Sequence, residues 1–299
     1  MTRVEFSVVI PTYNRPGQLR TCLVALAEQT FPSGGFEVIV VDDGGSVQLD
    51  SIVHPFRDQL KVHLLRQVNA GPATARNRGA ASASGIYVAF TDDDCLPDVH
   101  WLESFDRKFT EVPRCLLGGS TVNTRTDNHF AEASQHLIAY LYHYYGSDGS
   151  RTAFFASNNM AMPLDVFHEI GGFDTSFPFA AGEDREFCDR WHAEGQPSAY
   201  VRDAVVYHEH DLDFSGFVRQ HFTYGRGAYH FHQARRRREG GSFTVEPPSF
   251  YTGLVGYPLN VGRKGRAWLQ SGLLVLSQIA NASGFFWERF RAARSRHGG

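Results

Sequence analysis

Val88-Ala89-Phe90-Thr91-Asp92-Asp93-Asp94-Cys95-Leu96-Pro97 joins an apolar, strand-like run to three adjacent carboxylates and then a proline. Neighbouring anions repel one another, and a folded chain tolerates them most easily where a cation or an array of donors neutralises them. Carboxylate oxygens are hard ligands that suit Mg2+ or Mn2+. An Asp-rich turn that merely ends a strand has the same composition, so the flanking sequence must decide between the two.

Upstream, Phe6-Ser7-Val8-Val9-Ile10 is an apolar strand followed by the turn Pro11-Thr12-Tyr13-Asn14-Arg15-Pro16. Leu19, Cys22, Leu23 and Leu26 then recur at helical spacing on one face. A second strand, Phe36-Glu37-Val38-Ile39-Val40-Val41, ends at Asp42-Asp43-Gly44-Gly45. Strand, amphipathic helix, strand is the βαβ unit of a parallel sheet, whose right-handed crossover puts both loops on one edge. The pattern continues with a strand over 61–65, a helix over 72–83 containing Arg76, Asn77 and Arg78, and the strand 86–91. Ligands of open α/β sheets sit outside the carboxyl ends of the strands, so the loops carrying Thr12, Asp43 and Asp92 are expected to converge on one pocket. Neither GxGxxG after the first strand nor GxxxxGK[ST] occurs, which disfavours a dinucleotide Rossmann site and a Walker-type NTPase.

Downstream, a helix is expected over 98–110 and a strand near Leu116, with Gly118-Gly119 marking a change of pattern. Leu137, Tyr140, Leu141 and Tyr144 form the core stripe of a helix over 129–145, and residues 154–163 read as a strand and turn. A short helix ends at Ile170-Gly171-Gly172-Phe173-Asp174, where glycine is the usual stop. Gly182-Glu183-Asp184 opens another helix, whose apolar face carries Phe187, Cys188 and Trp191. Acidic residues in a first turn also simply complement the helix dipole. A strand over 199–207 then ends in His208-Glu209-His210-Asp211, and a strand-end histidine beside an acidic cluster can ligate a metal through a ring nitrogen.

With 299 residues, 42% of them apolar and 20% charged, the chain is globular, as one large domain or one domain plus an appendage. A formal net charge of -3 argues against a general polyanion or nucleic-acid binder, although Arg235-Arg236-Arg237-Arg238 is a local basic run. Cys22, Cys95, Cys115 and Cys188 form no CxxC pair, so neither a zinc knuckle nor a disulfide framework is indicated and a reducing compartment fits. The N-terminus lacks the apolar core of a secretory signal, which suggests a cytoplasmic protein.

Taken in order, Val8-Val9-Ile10-Pro11-Thr12-Tyr13-Asn14, Val41-Asp42-Asp43-Gly44, Ala75-Arg76-Asn77 with Gly79, Thr91-Asp92-Asp93-Asp94, Gly171-Gly172-Phe173-Asp174, Gly182-Glu183-Asp184 and His208 resemble the inverting family-2 glycosyltransferases. No one segment is specific; seven in the family's order, across about residues 5–230, are. The resemblance implies the GT-A fold: an α/β domain with a single Rossmann-like, mostly parallel sheet flanked by helices. Residues 1–233 would form it, with a nucleotide-binding half over 1–117 and an acceptor half over 118–233. Residues 234–299 would be a helical extension.

The resemblance also implies roles. Pro11, Thr12, Tyr13, Asn14 and Asp43 would hold base and ribose of a nucleotide-diphosphate sugar, a UDP-sugar being favoured, with Arg76 facing the nucleotide. Asp92-Asp93-Asp94 resembles the DxD motif, Asp92 and Asp93 serving ribose or metal-bound water. Asp92, Asp94 and His208 would hold Mn2+ or Mg2+, with Asp94 the direct ligand. Asp184 resembles the catalytic base, and Glu183 or Trp191 would shape the acceptor site. The implied activity is transfer of one sugar to a hydroxyl of a glycan or lipid-linked acceptor, in cell-surface polysaccharide biosynthesis. The processive members' Gln-x-x-Arg-Trp motif is absent, since Phe187 stands where it has glutamine and Trp191 lies too close to Asp184, which favours single-sugar transfer.

In the tail, Phe217, His221, Tyr224 and Ala228 line one side of a long helix over 214–238, and Pro247-Pro248 marks a break. Residues 267–287 carry no formal charge, with Trp268 and Trp287 near the ends and Arg263, Lys264, Arg266, Arg289 and Arg291 outside. Gln270, Ser271, Gln278, Asn281 and Ser283 make this too polar for a span, so a helix on the inner face of the cell membrane or docked on the protein is expected. Two other functions compete. A metal-dependent phosphohydrolase would release phosphate without an acceptor and leaves Asp43 and Asp184 without a task. A non-catalytic nucleotide-sugar binder should have lost Asp94, Asp184 or His208, and all three are present.

Overall fold

The computed structural model describes residues 4–146, 154–178, 180–209, 211–240, 245–261 and 265–297. His210, Arg263 and Lys264, singled out above, lie outside them. Strand β1 (Phe6–Thr12), helix α1 (Pro16–Ala27), β2 (Phe36–Asp42), the single turn α2 (Asp50–Val53), β3 (Val62–Arg66), α3 (Pro72–Ala81) and β4 (Tyr87–Thr91) follow the expected alternation. β5 (Cys95–Pro97), α4 (Trp101–Glu111), β6 (Leu116–Asn123), α5 (His129–Gly146), β7 (Asn159–Pro163), α6 (Leu164–Glu169), α7 (Glu183–Ala193) and β8 (Ser198–His208) complete the sheet and its cover. Three helices end the chain: α8 (Phe214–Glu239), α9 (Pro248–Val261) and α10 (Ala267–His297).

One eight-stranded sheet has the order β3-β2-β1-β4-β7-β6-β8-β5. β3, β2, β1 and β4 are parallel, whereas β7 runs antiparallel to both β4 and β6. Both faces are covered, which is why β1 and β2 read as near-continuous apolar runs. Val8 and Ile10 join α1 and α4 in one core, while Val9 joins Phe167, Phe173, Phe187 and Trp191 in the other. All four cysteines are free and buried.

Three features of the tertiary structure depart from the sequence pattern. Gly118 and Gly119 do not interrupt β6 but lie within it: a Cβ at Gly118 would meet the Phe155 ring at 2.0 Å, and one at Gly119 the Ala204 carbonyl at 2.2 Å. Pro248 does not only break the chain; it opens α9, where its missing N–H costs nothing. Helix α8 runs unbroken through residue 233.

Helix α10 is docked on the protein along one face. Its crossing with α8 is so close that a Cβ at Gly225 would lie 1.8 Å from the Asn281 carbonyl oxygen, and one at Gly284 1.9 Å from that of Phe222. Glu288, buried in the same crossing, accepts from Arg226 Nε at 2.7 Å and pairs with His230. Among the described residues no helix is long and apolar enough to cross a membrane.

Candidate active site

The carboxyl ends of β1, β2 and β4 open into a cavity of about 940 Å³, whose far wall is made by α5, α7, α8 and α10. Pro11, Thr12, Tyr13, Asp43, Arg76, Asp92, Asp93, Asp94, Glu183, Asp184 and His208 all line it, so the expected convergence of loops is what the fold produces.

Strand pairing explains one half of the site. β5 lies antiparallel to β8 with Cys95 opposite His208, which sets Asp94 beside the histidine. Asp94 Oδ1 and His208 Nε2 are 3.3 Å apart. Burial alone would lower the imidazole, but the Asp94 carboxylate outweighs it and holds His208 above its ordinary value. Asp94, Cys95 and His208 have ligand atoms within 4.8 Å of one another. Cys95 is buried and off the cavity wall, and a soft thiol suits neither Mn2+ nor Mg2+. The usable donors are therefore one carboxylate and one imidazole facing the cavity, a hard-to-borderline pair that fits Mn2+ or Mg2+.

The three aspartates are not equivalent. Asp93 is almost fully buried, accepts from Thr12 Oγ1 at 2.6 Å and pairs with Arg15 at 3.2 Å. Burial outweighs these partners and raises it to about 6. It braces the β1 loop rather than presenting a carboxylate to ribose. Asp92, expected as a metal ligand, stands outside the Asp94-Cys95-His208 group; its Oδ1 takes a 2.6 Å hydrogen bond from Arg76 Nη2.

Arg76 itself is buried between two acidic sites, pairing with Asp92 and, at 3.3 Å, with Glu183. Its guanidinium is thus committed to carboxylates, not turned wholly to a nucleotide. This bridge ties α3 to the first turn of α7. In that turn Asp184 faces the cavity, its Oδ1 accepting from the Arg185 amide at 2.7 Å. Burial raises both Glu183 and Asp184, Glu183 further through its charged neighbour Asp184, while Arg76 works against the shift in both. Burial therefore overcomes the helix dipole at Asp184, which favours the ionised form. Glu183 is a buried bridge, not an open acceptor contact.

Two expected site residues are elsewhere. Trp191 is fully buried among Phe187 and its neighbours, its indole N–H donating to the Pro197 carbonyl at 2.8 Å, because the apolar face of α7 turns into the core. Asn14 is off the cavity wall: its Oδ1 accepts from the Ser46 amide at 2.8 Å, joining the β1 and β2 loops, and its backbone takes φ 55°. Asp43 is on the wall, but both its oxygens already accept bonds, from Gln67, Ala70 and Gly71, that fix the loop before α3. Tyr13 lines the cavity with its ring half exposed.

The sequence reading missed Arg15 and Tyr224. Arg15 joins Asp93 to Asp94, 3.0 Å from the latter. Its only signal was its place in the Pro11 to Pro16 turn. Tyr224, on the cavity face of α8, accepts from Gln220 at 2.7 Å. Burial pushes it up to about 12, and the negative charge of Asp184 and Glu183 adds to this.

Comparison with known proteins gives this geometry a family. The curated relatives include glycosyltransferase AglE of Haloferax volcanii, 27% identical over 224 residues that span 74% of this chain and 72% of that one. Chondroitin synthase of Escherichia coli is 30% identical over 68% of this chain and 34% of its own length. Validoxylamine A glucosyltransferase of Streptomyces hygroscopicus subsp. limoneus is 30% identical over 66% and 50%. The chain thus spans half or less of the last two relatives. Among solved structures, the mannosyltransferase PcManGT of Pyrobaculum calidifontis, in complex with GDP-Man and Mn2+, superposes with a TM-score of 0.65 at 16% identity, covering 94% of this chain and 88% of that one. S. aureus TarS 1-349 with UDP-GlcNAc gives 0.58 at 20%, covering 99% and 92%. These likenesses show the GT-A fold. The model of glycosyl transferase family 2 matches residues 7–171, more than half of the sequence, and with the acidic loop of β4 inside that match the chain belongs to this family.

Proposed function

We propose that this glycosyltransferase moves one sugar, with inversion, from a nucleotide-diphosphate sugar to a hydroxyl of a glycan or lipid-linked acceptor in cell-surface polysaccharide biosynthesis. The observation that carries the reading is the pairing of Asp94 with His208 in the same cavity as the half-buried carboxylate of Asp184. PcManGT with GDP-Man and Mn2+, and TarS with UDP-GlcNAc, support the donor class on the same fold, and the chondroitin synthase relative supports the glycan acceptor. A UDP-sugar is the favoured donor. The protein works in the cytoplasm, at the inner face of the cell membrane.

Asp94 and His208 would hold the divalent cation, which when bound would supply stabilisation of the charge that develops on the leaving diphosphate. Tyr13 stacks on the base, while Asp43 and Thr12 fix the loops around it. The acceptor oxygen attacks the anomeric carbon as the bond from that carbon to the diphosphate oxygen breaks, and the acceptor proton passes to Asp184. Desolvation keeps that carboxylate more basic than an exposed aspartate. Arg76 holds Asp92 and Glu183 in place and keeps the excess negative charge of the site in check.

A thermal-shift screen of nucleoside diphosphates with and without Mn2+ tests the donor half. UDP with Mn2+ should raise Tm more than either alone; no stabilisation by any nucleotide in either condition would contradict the reading. Release of phosphate from simple esters without an acceptor would instead support a phosphohydrolase.

A further inference from the structure

The side of α10 turned away from α8 is apolar. Trp268, Val275, Ile279, Phe286 and Phe290 are all exposed, Trp268 by 78% and Phe290 by 66%. Their spacing of seven, four, seven and four residues keeps them on one line along the helix, about 33 Å long at 1.5 Å per residue. Helix α9 extends the surface: Leu259 and Tyr251 border a shallow groove shared with Trp268. Tyr251 and Phe286 also line the active-site cavity, so the apolar surface reaches its mouth. A continuous apolar surface of this extent, without charge, is rare on a protein that stays in water.

We propose that this α9–α10 face seats the protein on an anionic lipid bilayer, with the cavity mouth at the headgroup level. Charge complementarity selects that occupant. Arg289, Arg291 and Arg294 are exposed in the last turns of α10, beyond the charge-free stretch. The one carboxylate of α10, Glu288, is buried against Arg226 and His230, and α9 has none. A second copy of the same face would bring no carboxylate to these arginines, whereas anionic headgroups would satisfy them while the aromatic line enters the acyl boundary. The face lies beside the acceptor wall rather than the nucleotide loops, so it would present a membrane-held acceptor to Asp184. That last consequence rests on the transfer reading above; lipid binding does not.

Vesicle flotation of the whole chain tests the surface. Wild type should float with phosphatidylcholine vesicles containing phosphatidylglycerol and much less with phosphatidylcholine alone. The combined variant Trp268→Ser/Val275→Ser/Ile279→Ser, which alters exposed positions outside the cavity, should remain in the heavy fraction with its UDP and Mn2+ stabilisation unchanged. Replacing Arg289, Arg291 and Arg294 by Gln should weaken binding to anionic vesicles about fivefold per arginine. Wild type that stays in the heavy fraction overturns the proposal, and so does a variant that floats as wild type does. So does wild type sedimenting as a dimer that the triple Ser variant dissolves, since the face would then belong to a second copy. Loss of nucleotide stabilisation in wild type with flotation intact would count against the donor reading alone.

Discussion

His208 Nε2 lies 3.3 Å from Asp94 Oδ1 because β8 ends in register with β5, directly after the β4 acidic loop. Two residues far apart in sequence are thereby fixed by backbone pairing, not by a flexible loop. Strand pairing makes such a site rigid before any ligand arrives, which is what electrostatic stabilisation of a leaving group requires. The rest of the cavity wall follows from helices packed on the same sheet.

Asp184→Asn should leave nucleotide and Mn2+ binding within a few-fold of wild type while transfer falls by roughly 10²- to 10⁴-fold. Calorimetry with UDP and a sugar-transfer assay read the two effects separately. Near-normal turnover in the variant would remove Asp184 from the role of base.

The acid limb of kcat/KM should lie above the ordinary range of an aspartate, because burial raises Asp184 against its backbone donors and Arg76, and the negative charge of Asp92 adds to the effect. The base works only ionised, so activity falls as pH drops through that raised value. Glu183→Gln removes one negative charge and frees Arg76 to favour ionised Asp184. The limb should then move to lower pH; a shift to higher pH would contradict the pairing described.

Arg76→Met should destabilise the protein by about 3 to 5 kcal/mol at neutral pH, since it strands Asp92 and Glu183 without their shared cation. Protonating those carboxylates relieves the repulsion, so the loss should shrink as pH falls toward 4. Urea unfolding at the two pH values measures it. A cost under 1 kcal/mol at neutral pH would show that the bridge is not structural.

Away from the site, Glu37 is buried under Lys61, Ser84 and Ser7, whose bonds overcome its burial and lower it to about 2. A depressed folded-state value contributes stability above the unfolded value near 4.5 that is lost as pH falls toward 2. Glu37→Gln should cost roughly 2 to 3 kcal/mol at pH 7 and little near pH 2, read by denaturant titration.

Much of this was legible in the chain. Val8, Ile10, Val38 and Val40 announce buried parallel strands, and the ends of those strands carry Thr12, Asp43 and Asp92, so the edge of the sheet that holds the site follows from topology. What the sequence could not say was which way each polar group turns. Asp93 and Arg76 look like ligand contacts until the packing of α1 and α7 buries them against Thr12 and Glu183. The resemblance put Trp191 at the acceptor site, yet it lies about two turns beyond Asp184 along α7, where the helix has left the cavity and packs on the core. Gly118, Gly119, Gly225 and Gly284 are required by close approaches between elements distant in sequence, which no local pattern records.

The central claim is that Asp94 and His208 form the metal-bearing half of a nucleotide-sugar site. Calorimetric titration of UDP into wild type and Asp94→Asn, each in Mn2+ and in EDTA, tests it most directly. The account predicts that Mn2+ tightens UDP binding at least about tenfold in wild type and that Asp94→Asn abolishes this gain while keeping the EDTA affinity. Equal UDP affinity in Mn2+ and EDTA for the wild-type protein would contradict it.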